Sequence, residues 1–149
     1  MMKVKNLSKV SRKFHSAIEQ FVQLCQQELG DNLVSVILFG SIARNKYNEW
    51  SDFDFCVVTK RAQEEKKFKI MQAYHFNCDV VMREEGRFAS YLNNLSSLDL
   101  EIFNEGIVIF GKDVLKKDKN VFEKIKKKYG LVHQDSLGKG VWEIGIAGY

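Results

Sequence analysis

A chain of 149 residues is the size of one ordinary domain and predicts a single hydrophobic core. Hydrophobic residues make up 45% of the sequence and charged residues 28%, which excludes an intrinsically disordered chain. No purely aliphatic and aromatic run is longer than Val36 to Phe39, which is too short to span a bilayer. The net charge of +4 arises in one segment, Lys112 to Lys128, where eight lysines oppose three acidic residues, so the rest of the chain is not basic.

The first predicted elements are a long helix and a buried strand. Apolar residues recur every three or four positions over about residues 7–29, which predicts an amphipathic helix with Gly30 as its C-cap. Leu33 to Phe39 is short and rich in β-branched residues, and it predicts a buried strand that ends before Gly40-Ser41. The polar segment Ser41 to Trp50 predicts a helical turn followed by a loop.

The rest of the chain predicts alternating strands and helices. In chain order these are a strand over Asp52 to Thr59, a helix over Arg61 to Tyr74, a strand over Phe76 to Met82, helical periodicity over Phe88 to Phe103 with a break near Ser96-Ser97, a strand over Ile107 to Phe110, and a helix from an Asn120 cap to Tyr129, ended by Gly130.

These elements predict an α+β (α/β-like) fold, in which helices flank a small mixed β-sheet. No proline, linker or repeat marks a domain boundary, so residues 1–149 are expected to form one domain. Its core would cover about residues 33–111, preceded by the helix over residues 7–29. A lysine-rich helix and a tail would follow over residues 112–149, and the tail could add a strand or form an ordered arm.

Two aspartates in the second predicted strand give the first indication of chemistry. Asp52 and Asp54 are one residue apart and therefore point to the same face of a strand, where they place like charges close together. Aspartate is disfavoured in strands, and the flanking Phe53 and Phe55 predict that one face is buried. Repulsion there is costly without a counter-charge, which Mg²⁺, or alternatively Mn²⁺, would supply.

A third aspartate interrupts another apolar strand. Asp79 lies within Cys78 to Met82, and it would join Asp52 and Asp54 at one site if the two strands are neighbours. Three carboxylates suit two metal ions in phosphoryl transfer, one acting on the attacking hydroxyl and the other on the leaving pyrophosphate. The alternative for Asp79 is a surface position on an edge strand.

The residues after the first predicted strand suit phosphate binding. Gly40 lets the backbone approach a ligand closely, and Ser41 adds a hydroxyl donor to the amide groups that open a helical turn. Arg44 lies one turn further and could reach a triphosphate, although it could equally be an exposed charge. Trp50 could stack on a base or pack against its own loop.

The combined pattern resembles the signature of the DNA polymerase β-type nucleotidyltransferase superfamily. The matching residues are Phe39-Gly40-Ser41, then Ser51-Asp52-Phe53-Asp54 after a ten-residue spacing, and then Asp79. The pattern is most similar to the minimal nucleotidyltransferase group, whose members are often antitoxin partners of HEPN-domain toxins. The segment Ile102 to Phe110 resembles the closing strand of that group, so the similarity covers about residues 33–111. Asn45 stands where such proteins often have glycine.

This resemblance implies an enzyme that transfers a nucleoside monophosphate from an NTP, with ATP as the favoured donor. Asp52 and Asp54 would bind two Mg²⁺ ions, and Asp79 would bind the catalytic ion and act as, or orient, the general base. Gly40 and Ser41 would hold the β- and γ-phosphates. The acceptor is not fixed by the family, but an antitoxin-type protein adenylyltransferase with a HEPN-type partner is favoured.

Two other functions stay open. The fold could serve as a non-catalytic partner subunit, or the enzyme could act on RNA ends through Lys112 to Lys128, whose alternative is a solvated helix face. The three cysteines have no metal-type spacing, and no apolar stretch follows Lys3 and Lys5, so a reducing cytoplasm without membrane association is expected. The sequence leaves a homo-oligomer and the role of residues 131–149 undecided.

Overall fold

The structure is a computed structural model that describes residues 3–133 and 142–144. Its helices and strands are, in chain order, α1 (His15–Leu29), β1 (Leu33–Phe39), α2 (Gly40–Ala43), β2 (Phe53–Thr59), α3 (Glu64–Ala73), β3 (Cys78–Glu84), α4 (Phe88–Asn93), α5 (Ser97–Glu105), β4 (Ile107–Gly111), α6 (Val114–Lys117), α7 (Lys119–Tyr129), β5 (Leu131–His133) and β6 (Trp142–Ile144). None of the helices in the described ranges is long and apolar enough to cross a membrane.

The main sheet is mixed, with the strand order β3-β2-β1-β4. β1 runs antiparallel to both β2 and β4, whereas β2 and β3 are parallel and are joined through α3. Helices pack on the two faces of this sheet, so the predicted α+β class with a small mixed sheet flanked by helices is confirmed.

Alternate side chains of the central strands enter two hydrophobic clusters. On one face, Phe53 and Phe55 pack with residues of α1 and α3, and the rings of Phe21 and Phe55 are stacked with centroids 3.7 Å apart. On the other face, Cys56 packs with Phe88 of α4 and with residues of α5. All seven residues of β2 are buried, which explains why this strand reads as almost continuously apolar.

The N-terminal helix is shorter than predicted. α1 begins at His15, and the segment before it consists of two 3-10 turns, Leu7–Lys9 and Arg12–Phe14. Between them Val10 is extended and buried, and its carbonyl oxygen contacts the His15 imidazole at 2.8 Å. Periodicity gave a wrong start here because successive short turns can repeat an apolar residue at nearly helical spacing. The predicted C-cap at Gly30 is confirmed.

The break predicted near Ser96-Ser97 is confirmed, because the Ser96 side chain accepts a hydrogen bond from the Asp99 amide and caps α5. The predicted cap at Asn120 is wrong, since α7 begins at Lys119 and Asp118 alone separates it from α6. Gly130 ends α7 in the left-handed region, with φ of 57°, as predicted.

The described part of the tail forms a second, two-stranded sheet. β5 and β6 pair antiparallel with each other, and Leu131 and Trp142 pack in a cluster with Phe122 and Ile125 of α7. The tail therefore adds strands, but they do not extend the main sheet. The remaining residues covered by the tail prediction, 134–141 and 145–149, lie outside the described part of the chain.

Candidate active site at one edge of the sheet

One edge of the main sheet gathers the residues selected from the sequence. Because β1 runs against its neighbours, its carboxyl end lies beside the amino ends of β2 and β4, and β3 follows β2 in parallel. Phe39 pairs with Asp54 across β1 and β2, and Asp54 pairs with Asp79 across β2 and β3. The Gly40-Ser41 turn begins directly after Phe39.

The three aspartates differ in their exposure to solvent. Asp54 is 4% exposed, whereas Asp52 and Asp79 are exposed. As register partners in a parallel pair, Asp54 and Asp79 lie on the same face of the sheet, while Asp52 stands one residue before β2 begins. Asp79 also lies on an edge strand, as its alternative interpretation required.

Electrostatics show that the three carboxylates act on a common neighbour. Burial, followed by the negative charges of Asp79, Asp52 and Asp54, raises the pKa of the Cys78 thiol to about 11. Within residues 3–133 and 142–144, however, no group of three or more His, Cys, Asp or Glu side chains is arranged to hold a metal ion. The edge therefore gathers the carboxylates in one region, and they do not form a three-ligand metal site by themselves.

Gly40 is in direct contact with Asp54. Its φ of 80° lies in the region that favours glycine, and a Cβ atom at this position would stand 2.0 Å from the Asp54 Oδ2 atom. The turn and the carboxylate can approach this closely only because residue 40 has no side chain. Glycine is needed here for its backbone conformation and for its small size.

Replacing Gly40 with alanine is expected to destabilise the fold by roughly 1–3 kcal/mol and to displace the Asp54 carboxylate. Urea denaturation would measure the loss of stability. Gly86→Ala is a useful control, because Gly86 also has a positive φ, of 88°, but a Cβ atom added there would have no neighbour within 4 Å. Equal destabilisation by the two substitutions would mean that backbone strain alone explains the effect at Gly40.

The Gly40-Ser41 turn is fixed by hydrogen bonds to Glu105, a residue that the sequence analysis did not select. The Gly40 amide donates to Glu105 Oε1 at 2.8 Å, and Arg44 Nη1 donates to Glu105 Oε2 at 3.2 Å. The same Arg44 nitrogen lies 3.7 Å from Glu101 Oε1. Arg44 therefore forms internal ion pairs, and its predicted contact with a triphosphate would use the rest of the guanidinium group.

Burial raises the pKa of the Glu105 carboxyl group. Its side chain is 6% exposed, and burial followed by the charge of Glu101 raises its pKa from the ordinary 4.5 to about 7, although the Gly40 amide, Arg44 and His133 oppose the shift. Because folding raises this pKa, Glu105 contributes stability that is complete below about pH 4.5 and is lost as the pH rises through about 7.

A sequence signal for these carboxylates existed. α5 contains Asp99, Glu101 and Glu105 but no lysine or arginine, so its acidic residues have no cationic partner within the helix.

Asn45, at the position where the resembling proteins often have glycine, has φ of 60°. Asparagine tolerates this left-handed conformation better than most residues do, which explains why the departure is accommodated.

One cleft adjoins this edge, and a second lies beside β4 and α7. A cleft of about 590 Å³ is lined by Asp52, Trp50 and Phe76, among others, and Trp50 is 82% exposed. Trp50 therefore does not pack into its own loop, and its stacking on a base stays a prediction. The second cleft, of about 610 Å³, is lined by four lysines, Lys9, Lys116, Lys119 and Lys126, and by two acidic residues, Asp113 and Glu123.

Comparison with known proteins finds a family model and relatives that match this chain. A family model described as a nucleotidyltransferase domain matches residues 18–136. The chain is 29% identical over 127 residues to a Methanocaldococcus jannaschii protein named "Putative protein adenylyltransferase MJ1305", covering 77% of this chain and 82% of that protein. A second protein of that organism, named "Putative protein adenylyltransferase MJ0141", is 35% identical over 69 residues, covering 44% of this chain and 70% of that protein.

Solved structures show the same fold. A spectinomycin adenyltransferase from Enterococcus faecialis, determined with ATP and spectinomycin, matches with a TM-score of 0.53 and 15% identity, covering 69% of this chain and 58% of that one. A toxin–antitoxin structure with AMP-PNP matches with a TM-score of 0.50 and 19% identity, covering 74% of this chain and 85% of that one. At these identities the likeness concerns the fold alone.

Proposed function

Since the chain belongs to the nucleotidyltransferase domain family and is a nucleotidyltransferase, we propose that it transfers AMP from ATP to a protein acceptor. The reaction would take place at the sheet edge that carries Asp52, Asp54 and Asp79, called the carboxylate edge below. The observation that carries this proposal is the pairing of Asp54 with Asp79 on one face, directly beside the Gly40-Ser41 turn. The relatives named as adenylyltransferases support the nucleotide and the acceptor class. A HEPN-type partner, implied by the sequence resemblance, is the first acceptor to test.

In the proposed reaction, an acceptor hydroxyl oxygen attacks the α-phosphorus of ATP. A bond forms between these two atoms, the bond from the α-phosphorus to the oxygen that bridges to the β-phosphate breaks, and pyrophosphate leaves. Asp79, exposed on the edge strand, takes the proton of the hydroxyl. The Gly40 amide already donates to Glu105, so Gly40 assists the β- and γ-phosphates by permitting close approach, and Ser41 supplies a hydroxyl donor.

We assign Asp52, Asp54 and Asp79 as the residues that hold Mg²⁺, or Mn²⁺ in its place. Carboxylate oxygens are suitable ligands, and Mg²⁺ usually takes only one or two of them, with phosphate oxygens and water completing its shell. Fewer than three carboxylates per ion would therefore be enough when the ion binds together with a triphosphate. When bound, such ions lower the pKa of an attacking hydroxyl and stabilise the charge on pyrophosphate.

The test is to incubate the protein with cell extract and ATP labelled either at the α-phosphate or at the γ-phosphate, with Mg²⁺, with Mn²⁺ or with a chelator. We expect the α-label, and not the γ-label, to appear on an acceptor in the presence of metal only. Transfer of the γ-label would indicate phosphoryl transfer instead. Absence of both labels, with a HEPN-type partner included, would favour the non-catalytic partner subunit.

The labelled product also distinguishes the acceptors. Loss of the label after protease treatment, with resistance to ribonuclease, is expected for a protein acceptor. The opposite sensitivity would favour the RNA-end enzyme, for which the four lysines of the larger cleft are the supporting feature.

A further inference from the structure

A row of poorly exposed polar side chains connects the C-terminal hairpin to the Gly40-Ser41 turn. His133 Nε2 of β5 lies 2.5 Å from Glu101 Oε1, and Glu101 lies 3.7 Å from Arg44 Nη1. Arg44 in turn donates to Glu105, which accepts from the Gly40 amide. The side chains of this row are between 1% and 18% exposed, so its ion pairs are weakly screened by solvent.

We propose that Glu105 is a positioning residue of the nucleotide site, whose ionised carboxylate fixes the Gly40-Ser41 turn against Arg44, and that His133, which contacts Glu101, tunes Glu105 by its charge. This inference rests on the proposed function, because it assigns the nucleotide phosphates to the turn. Glu105 would touch neither the nucleotide nor the acceptor. It acts through the backbone of Gly40 and through the guanidinium of Arg44.

The chemistry of the two contacts requires a carboxylate. Both Gly40 and Arg44 present N–H donors to Glu105, so the side chain needs an acceptor at each oxygen. An ionised carboxylate supplies both acceptors. A protonated carboxyl group, or a glutamine of the same shape, turns one of these positions into a donor that faces another donor. Loss of the proton from Glu105 therefore tightens the turn, and its uptake loosens one side of it.

The surroundings of Glu105 place this change near neutral pH. The charged and titratable groups that act on it are Glu101 of its own helix, Arg44 beyond the turn and His133 of β5. Together with burial they give Glu105 a pKa of about 7, so the carboxylate is mostly ionised at pH 8 and mostly protonated at pH 6. Binding of the triphosphate should therefore weaken as the pH falls through about 7.

The experiment measures the dissociation constant of ATP with Mg²⁺ and without acceptor, from pH 5.5 to 8.5. It compares the wild type, Glu105→Gln, and Glu65→Gln as a control at an exposed glutamate of α3. We expect wild-type affinity to fall about tenfold from pH 8 to pH 6, the order expected for one lost hydrogen bond to a charged group. Glu105→Gln should bind as weakly at pH 8 as the wild type does at pH 6, with a flat profile. Glu65→Gln should follow the wild type.

A second variant separates positioning from general support of the fold. His133 lowers the pKa of Glu105, so His133→Gln should move the midpoint of the binding profile to higher pH. A merely structural role would weaken binding equally at every pH. Parallel profiles for the wild type, Glu105→Gln and His133→Gln would overturn the inference, whereas undetectable ATP binding by the wild type at any pH would count against the proposed function itself.

Discussion

Replacing Asp54 with asparagine is expected to lower α-label transfer by a factor on the order of 100 to 1,000 or more, while the protein stays folded. Asp54 is the most buried of the three carboxylates, it pairs in register with Asp79, and its oxygen lies against Gly40. Asparagine keeps the shape of the side chain but removes the charge and one potential metal ligand. The measurement is the initial rate of transfer from α-labelled ATP with Mg²⁺.

The stability of the same variant is the sharper test. Like charges that face each other on neighbouring strands are destabilising by roughly 0.2–1 kcal/mol, so without metal Asp54→Asn should be as stable as the wild type or slightly more stable. Asp31→Asn, at an exposed position in the turn before β1, is the matched control and should change neither property. Equal labelling by Asp54→Asn and the wild type would contradict the proposed mechanism, and clear destabilisation of the metal-free variant would mean that Asp54 is structural.

Local patterns were sufficient for most of the secondary structure. The run from Leu33 to Phe39 coincides with β1, and the helical segment after Phe88 breaks at Ser96, because strand length and capping are properties of neighbouring residues. The limits of α1 and α7 could not be obtained in this way. The start of α1 depends on where buried Val10 is held extended, and the start of α7 depends on how closely α6 precedes it.

The meeting of Asp54 with Asp79 could be predicted only conditionally. It required the strands of the two residues to be neighbours, and the β2–α3–β3 arrangement supplies this because a helical crossover returns the chain to a parallel partner. The contact of Glu105 with the Gly40-Ser41 turn could not be predicted from any sequence pattern. Glu105 and Gly40 are 65 positions apart, and nothing local to either residue specifies that contact. The lack of a lysine or arginine in α5 indicates only that partners must come from elsewhere.

The largest effect on stability is expected from a residue that no motif selected. Replacing Asp99 with alanine should lower the free energy of unfolding by roughly 3–5 kcal/mol, because it leaves the poorly exposed guanidinium group of Arg83 without its partner. Asp99 is fully buried and binds Arg83 through two contacts of 3.0 Å, from Nε to Oδ1 and from Nη2 to Oδ2. Arg83 is itself 14% exposed and stacks on the ring of Tyr91, with its Cζ atom 4.0 Å from the centroid.

The raised pKa of the Arg83 guanidinium group agrees with a strong interaction with Asp99. Burial alone would lower the pKa of its guanidinium group, but the hydrogen bonds and the negative charge of Asp99 raise it above the ordinary value. Urea denaturation at neutral pH would measure the effect as a shift of the midpoint with an unchanged slope. Lys112→Ala breaks a pair of similar length to Glu85, but Lys112 is 72% exposed, so that control should cost less than about 1 kcal/mol.

A double variant shows whether the loss of stability in Asp99→Ala comes from the lost ion pair itself or from the unpaired charge that remains on Arg83. If the cost of Asp99→Ala comes from the stranded guanidinium, Arg83→Met combined with Asp99→Leu should recover most of the lost stability, since apolar residues of similar volume can replace a buried ion pair. This pair joins β3, which carries Asp79, to α5, which carries Glu101 and Glu105. A double variant that stays folded but loses α-label transfer would therefore mean that the pair also sets the spacing between the carboxylate edge and the helix behind the turn. Retained transfer would confine the pair to stability.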